Sequence, residues 1–304
     1  MEITAEQRKN AKSQGFISNK DGVHFSARIV SGNGVLKASQ VRILCEAAEK
    51  FGNGQLALTS RMSVELPGIK YDNFENVKEY VAKAGLSVGG TGPKVRPIVP
   101  CKGTFCSNGL FDTLSLGTKL HKRFYEGYRH ITLPHKFKIG VGGCPNNCIK
   151  PETNDLGIVG QMVPKYEFEK CRACKNCNVV SICPMGALKI KEDGKITADK
   201  SLCINCGKCI GKCPFGCVPK GEFAFRIFVG GRWGKKIRIA TPLKRLFNED
   251  EAFDVVEKAI LLFKSEGKQG DRFSSIIDKL GMEKVEEILV SDDLLRKKEE
   301  IIGK

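Results

Sequence analysis

The sequence predicts an α+β protein with more than one core, and three observations carry that reading. The first 90 residues run strand, helix, strand, strand, helix; the cysteines gather in short runs; and Phe223, Phe225, Ile227 and Val229 alternate as a strand should, ahead of a long helical stripe. At 304 residues the chain is about twice the commonest size of a single domain.

The first unit opens near Val23. The helix after Ser39 is expected to carry Val41, Leu44, Cys45 and Ala48 on one face with Gly52 past its end, which supplies a cap, an apolar stripe and a stop. Cys45 on that stripe reads as a core residue. Strands are expected over 55–59 and 63–66 and a second helix over 73–84, an order that suits a ferredoxin-like α+β sandwich. Late in the chain, Phe253, Val256, Ile260 and Phe263 fall at helical spacing and read as a face turned to the core.

Composition narrows the class. Hydrophobic residues make up 41% and charged residues 28%, and no stretch approaches the roughly 20 apolar residues of a membrane span. The first 16 residues are polar and lack the apolar segment of a secretory signal, so a cytoplasmic protein is expected. In that compartment thiols stay reduced, so the 14 cysteines are expected to be metal ligands and not a disulfide framework. The formal charge of +16 would ordinarily suggest nucleic acid. A cubane cluster with four thiolates carries about −2, so several clusters and a polyanionic cofactor would absorb the surplus, and no nucleic-acid partner is expected.

Cys171, Cys174 and Cys177 form C-x2-C-x2-C, with Cys183 and Pro184 following; Cys203, Cys206 and Cys209 repeat the spacing, with Cys213 and Pro214 following. This repeat resembles the two-cluster bacterial ferredoxins, in which the fourth cysteine of each run ligates the other cluster. The resemblance implies one [4Fe-4S] cluster on Cys171, Cys174, Cys177 and Cys213 and another on Cys203, Cys206, Cys209 and Cys183. Zinc sites need neither the third cysteine nor the terminal Cys-Pro. Upstream, Cys101 and Cys106, then Cys144 and Cys148, can supply four thiolates to a third cubane brought together by the fold.

The flanks of those pairs carry a second resemblance. Leu133-Pro-His-Lys136-Phe-Lys138 runs into Ile139-Gly-Val-Gly-Gly-Cys144-Pro-Asn-Asn-Cys148; Arg28 sits in Ser-Ala-Arg-Ile-Val, Arg61 in Thr-Ser-Arg, and Arg96 just before Cys101. A basic turn, Gly230-Gly-Arg-Trp-Gly-Lys-Lys, comes late in the chain. These residues resemble the sirohaem-dependent sulfite and nitrite reductases over nearly the whole length. The cysteine repeat inside the second half is similar to the anaerobic and dissimilatory types. The first cysteine pair has four intervening residues where members of that family often have five, and the chain carries one copy of a half-module that single-chain members carry twice.

The resemblance implies a ferredoxin-like sirohaem half-domain over 1–90, an α/β sulfite reductase Fe–S domain over 91–165 and 219–304, and an inserted 2[4Fe-4S] ferredoxin domain over 166–218. It implies sirohaem and three [4Fe-4S] clusters, with the Cys148 thiolate bridging to the sirohaem iron. Arg28, Arg96, Lys136 and Lys138 match the substrate-facing positions, and Arg61 matches a partner for sirohaem carboxylates. Arg232, Lys235, Lys236 and Arg238 form a basic turn suited to the same macrocycle. His24, His121, His130 and His135 show no paired spacing, and Cys217, surplus to the twelve ligands, reads as structural.

The implied activity is six-electron reduction of sulfite to sulfide. Nitrite reduction to ammonia is the alternative at the same centre, and a non-catalytic polyferredoxin carrier the alternative of another class. No dinucleotide fingerprint is present, so electrons are expected from a ferredoxin-like or flavin/Fe–S partner protein. The missing half-module implies a homodimer, a higher homo-oligomer or a similar partner subunit.

Overall fold

The computed structural model describes residues 3–303. Met1, Glu2 and Lys304, which the expected domain ranges include, lie outside the described residues. Among the described residues, no helix is long and apolar enough to cross a membrane.

Helix α1 (Ala5–Ser13) comes first and was not expected. Its signal was present: the Thr4 hydroxyl accepts from the Gln7 amide at 3.1 Å and the Gln7 side chain accepts from the Thr4 amide at 2.9 Å, a reciprocal cap written as Thr-x-x-Gln. Strands β1 (Phe16–Ser18) and β2 (Phe25–Val30) follow, then α2 (Ala38–Phe51), β3 (Ala57–Leu58), β4 (Val64–Ile69), α3 (Phe74–Ala82) and β5 (Ser87–Val88). The strands form an antiparallel sheet in the order β1-β2-β4-β3, with β5 also paired to β2. Phe16 stacks on Phe74 at 3.6 Å and Phe25 meets Phe74 edge-on at 5.0 Å, which pins α3 to the sheet.

Three expectations for this unit need correction. Ser39 does not cap α2: the helix already includes it, and its first turn is closed by the Lys37 amide donating to the Gln40 side chain at 2.9 Å. Cys45 is exposed and Val41 is 38% exposed. The buried face is Leu44, Ala47 and Ala48, with Phe51 packed beside them; Cys45, about 100° round from Leu44, lies beyond its edge. Finally, β3 is two residues long, and α3 is preceded by a 3-10 turn over Tyr71–Asn73.

The second sheet is built from β6 (Val99–Pro100), β7 (Ile139–Gly142), β8 (Leu156–Pro164), β11 (Gly221–Val229) and β12 (Thr241–Pro242), in the order β12-β11-β8-β7-β6. The β6, β7 and β8 pairings are parallel; β8, β11 and β12 pair antiparallel. Helix α4 (Thr113–Leu120) runs into a π-helical turn over His121–Glu126 between β6 and β7. After β12, α6 (Glu249–Glu266) lies in the core, covered by α7 (Phe273–Leu280), α8 (Met282–Val290), α9 (Asp293–Arg296) and α10 (Lys298–Gly303). All four residues of the expected helical stripe are buried. On β11 the alternation holds for Phe225, Ile227 and Val229, whereas Phe223 is 39% exposed, its ring meeting Phe111 at 5.4 Å and Phe225 at 5.0 Å.

Between β8 and β11 the chain leaves the sheet to form a short helix, α5 (Asn178–Ser181), and a hairpin of β9 (Leu188–Ile190) and β10 (Ile196–Ala198). This excursion has its own small core of Val179, Leu188, Ile196, Cys209, Cys217 and Val218. It lies along β8, where the Met162 amide donates to Asn205 O at 2.7 Å and the Asn205 side chain donates to Gln161 at 2.8 Å.

Phe137 ties the site strand to the core. Its fully buried ring meets Phe263 at 5.9 Å and Phe273 at 5.4 Å, so Lys136 and Lys138 on either side face the opposite way. Replacing Phe137 with Ala is expected to cost about 3–5 kcal/mol of unfolding free energy. Urea unfolding checks this: the midpoint should fall with the slope unchanged.

Candidate functional site

Where the two sheets meet, a cleft of about 600 Å³ is lined by Arg28, Arg96, His135 and Lys136, with Lys9 and Lys12 of α1 at its rim. Arg28 lies on β2 opposite Glu65 of β4, and its Nε and Nη2 donate to one Glu65 oxygen at 2.9 and 2.7 Å. Its Nη1 donates to the Gly90 carbonyl at 3.3 Å, and Nη1 of Arg96 donates to the same oxygen. Arg61 donates to Pro97 O at 2.8 Å and to the Asn154 side chain at 3.1 Å.

Lys138 is not among the lining residues of this cleft. Its amide donates to Asp155 at 2.9 Å, and Asp155, fully buried, takes both its oxygens to Arg272 Nη2 at 2.9 and 2.8 Å. Burial pushes the Asp155 carboxyl up, while the Arg272 guanidinium and the Lys138 amide pull against it. Burial first, then the charges of Arg61, Arg272 and Lys136, hold the Lys138 ammonium down at about 8. Lys136 is lowered by burial and by Arg272 and Arg96. Burial and neighbouring arginines also bring Arg61 and Arg96 down to about 10. Guanidiniums remain charged at physiological pH, so this depression expresses a cluster of cations short of anions.

Six cations face two carboxylates here, and the Nε atoms of Arg61, Arg96 and Arg272 are buried without a partner. Buried donors without acceptors are costly. The donor set therefore fits a polyanionic, acceptor-rich group, such as a macrocycle carrying several carboxylates, together with a small oxyanion.

The cysteines fall into three neighbourhoods. Burial raises the Cys144 thiol, and Cys101, Cys148 and Cys106 are the charges that act on it. The Gly143 amide donates to Cys101 Sγ at 3.1 Å, and a Cβ on Gly143 would lie 3.1 Å from the Gly103 backbone, a tight approach. Cys209 is pushed up to about 11 by burial, with Cys203, Cys206 and Cys183 around it. Buried Cys217 is pushed up to about 12 by burial and by Cys213, with Cys171 next. Among the described residues no three His, Cys, Asp or Glu converge on one ion. Cubane ligands each hold a different corner of a wider group. A gap of about 130 Å³ separates Cys144-Pro145-Asn146 from Cys206-Gly207-Lys208.

The basic turn stands apart from the cleft. Arg232 and Arg238 pair their backbones at 2.8 and 2.9 Å, and the Ala240 amide ties the hairpin to Glu152 O at 2.8 Å, beside Asn154 and Asp155. Lys235 and Lys236 are exposed at its tip. Among the histidines, His24 pairs with Asp21 at 2.8 Å, His121 is buried, and His135 accepts from the Lys136 amide at 2.8 Å.

Sequence reasoning missed Glu65, Asp155, Arg272, Lys9 and Lys12. Asp155 left a faint signal, a charge at the head of the apolar strand Leu156–Pro164. Arg272 left none, since only the packing of α7 brings it to Asp155.

Comparisons with known proteins agree on the family. A model of the nitrite and sulphite reductase 4Fe-4S domain matches residues 91–298, and one of the nitrite/sulfite reductase ferredoxin-like half domain matches residues 17–84. A coenzyme F420-dependent sulfite reductase of Methanocaldococcus jannaschii is 30% identical over 276 residues, covering 88% of this chain and 43% of that protein. The chain thus spans less than half of that relative. An uncharacterized protein of the same organism is 32% identical over 292 residues, covering 88% of this chain and 91% of its own. The crystal structure of dissimilatory sulfite reductase I superposes with a TM-score of 0.70 at 22% identity, over 88% of this chain and 69% of that one, which shows a shared fold.

The Lys138 ammonium gives a prediction for the cofactor-free chain. Its charge is present below about 8 and lost as pH rises through that value, so sulfate affinity measured by calorimetry should step down there and the step should vanish in Lys138→Met. The same titration should not lower stability. The unfolded lysine, with an ordinary value of about 10.4, still holds its proton in that range, so the folded state is freed from carrying a buried charge.

Proposed function

Because the chain belongs to the nitrite and sulphite reductase family, we propose that it is an oxidoreductase of the sulfite reductase type, reducing sulfite to sulfide with six electrons. The observation that carries this is the cleft itself: Arg28, Arg96 and Lys136 line one cavity, with three buried guanidinium Nε atoms lacking acceptors around it. A protein that only carries electrons has no use for such a cluster.

In this reading Arg61 and Arg272 would face the carboxylates of sirohaem, while the basic turn of Arg232, Lys235 and Lys236 would supply further cations at its edge. Cys101, Cys106, Cys144 and Cys148 would hold a [4Fe-4S] cluster, with Cys148 the ligand that would also serve the macrocycle. When bound, the macrocycle supplies an iron at which sulfur can be held while electrons arrive one at a time. Arg28 and Arg96 bind and orient the oxyanion's oxygens, since guanidiniums keep their charge and offer donors in a fixed fork. Lys136 and Lys138 hold protons on Nζ; each oxygen lost as water draws two, and an ammonium depressed to about 8 is a ready donor near neutrality.

Residues 1–90 then act as the half-domain that brings Arg28 and Arg61, and 91–165 with 219–304 as the catalytic domain. The excursion, 166–218, acts as a two-cluster ferredoxin. Cys203, Cys206, Cys209 and Cys183 would hold the nearer cluster, because Cys206 faces Cys144 across the small gap, and Cys171, Cys174, Cys177 and Cys213 the outer one. A ferredoxin-like or flavin/Fe–S protein delivers electrons to the outer end, and a second copy of the chain or a similar subunit completes the assembly. Sulfite is favoured over nitrite because the characterised relative is named for sulfite.

Two measurements check this. Iron and acid-labile sulfide on anaerobically purified protein should give about twelve cluster irons plus one macrocycle iron per chain; about eight with no extractable macrocycle would leave a plain ferredoxin. In sulfite-dependent oxidation of reduced viologen, Lys138→Met should lose roughly 100- to 1,000-fold with its clusters intact. Cys206→Ser should keep the macrocycle spectrum and lose mainly the turnover driven by a protein donor. The opposite pattern would show both residues to be misassigned.

A further inference from the structure

One carbonyl links two arginines of the cleft, Arg28 and Arg96. Arg28 belongs to β2, whereas Arg96 lies beyond the junction that leads into the second sheet, and both donate through Nη1 to the carbonyl of Gly90. The Gly89 amide donates back to Arg28 O at 2.9 Å, closing the loop onto β2. Gly90 has φ +71°, and a residue without Cβ does little by itself to fix the direction of its carbonyl. Left free, it would give way to the repulsion between two guanidiniums.

What pins it comes from the π-helical turn. The Gly90 amide donates to the Tyr125 hydroxyl at 3.0 Å, and Tyr125 is 6% exposed. A Cβ on Gly89 would lie 2.6 Å from that hydroxyl, so the close approach requires the glycine. Tyr125 is held in turn by the buried His121 ring at 4.5 Å, one turn earlier in the same π segment. Such widened turns are rare and cluster at functional sites. We propose that Tyr125 is a positioning residue, which holds the Gly90 amide and so fixes the Gly90 backbone, whose carbonyl one bond pair further on sets Arg28 and Arg96 at the spacing an oxyanion requires. This rests on the anion-reducing role of the cleft, but the link from Tyr125 to the arginines is open to test without that role.

Tyr125→Phe removes one oxygen and keeps the ring against His121. Tyr128→Phe is the control, since the Tyr128 hydroxyl donates to Glu257 at 2.5 Å, away from the cleft. Sulfate binding to the chain as purified, measured by calorimetry, should weaken at least about fivefold in Tyr125→Phe, the scale of a buried amide losing its acceptor, and stay unchanged in Tyr128→Phe. In the holoenzyme the sulfite KM should rise by a similar factor with kcat within about twofold, because uniform binding is what is lost. The sulfate penalty should shrink in an Arg96→Ala background, where one of the two groups it positions is gone. If Tyr125→Phe does not fold, Gly90→Ala, whose Cβ would press on Pro97 at 3.0 Å, should weaken sulfate in the same way. Equal sulfate affinity in wild type and Tyr125→Phe, no sulfate binding by wild type, or fully additive losses with Arg96→Ala would each overturn the proposal. A wild-type chain that binds sulfate but holds no macrocycle and reduces no sulfite would instead overturn the sulfite reductase reading and leave this one to the calorimetry.

Discussion

Asp155 and Arg272 form the contact on which the site depends. Six cations crowd one end of the molecule, and bringing them together is opposed both by desolvation and by their mutual repulsion. A single carboxylate with no exposure, held through both oxygens by Arg272 and through one by the Lys138 amide, offsets part of that. It also joins distant parts: Asp155 heads β8, Lys138 precedes β7, and Arg272 caps the start of α7. Breaking a buried pair of this kind leaves a charge uncompensated, which is why its partners move as a unit.

The remaining cations are held mostly by main-chain carbonyls. Arg61, Arg28 and Arg96 rest on Pro97 O and Gly90 O, and only Arg28 has a carboxylate of its own. Carbonyls orient a guanidinium without neutralising it. The result is a pocket whose walls are rigid and whose charge is unspent, the condition under which an incoming anion meets donors already in place.

How much of this could be read in the sequence follows from distance along the chain. The cysteine runs, the Lys136/Lys138 alternation and the first sheet are local patterns, and spacing within a few residues sufficed to read them. Glu65 lies 37 residues from Arg28 and Arg272 lies 117 from Asp155, so no local pattern links either pair. Cys45 failed for a subtler reason: a periodic stripe fixes which residues share a face, and only the neighbouring sheet decides where the edge of that face falls, here about one residue short of Cys45. The π turn is invisible in the same sense, because His121 to Glu126 look like a continuation of α4.

The place where the cysteine-rich excursion joins the sheet has a consequence for its history. Pro164, the last residue of β8, is directly paired with Gly221, the first of β11, so the chain leaves and re-enters the sheet at the same point. Were the intervening segment absent, a tight turn could join the two strands with every rung of their ladder kept. The sheet is thus topologically indifferent to what is carried at that corner. A segment with its own small core can be gained, exchanged or lost there as a whole, as domain insertions generally are where chain ends meet at a surface.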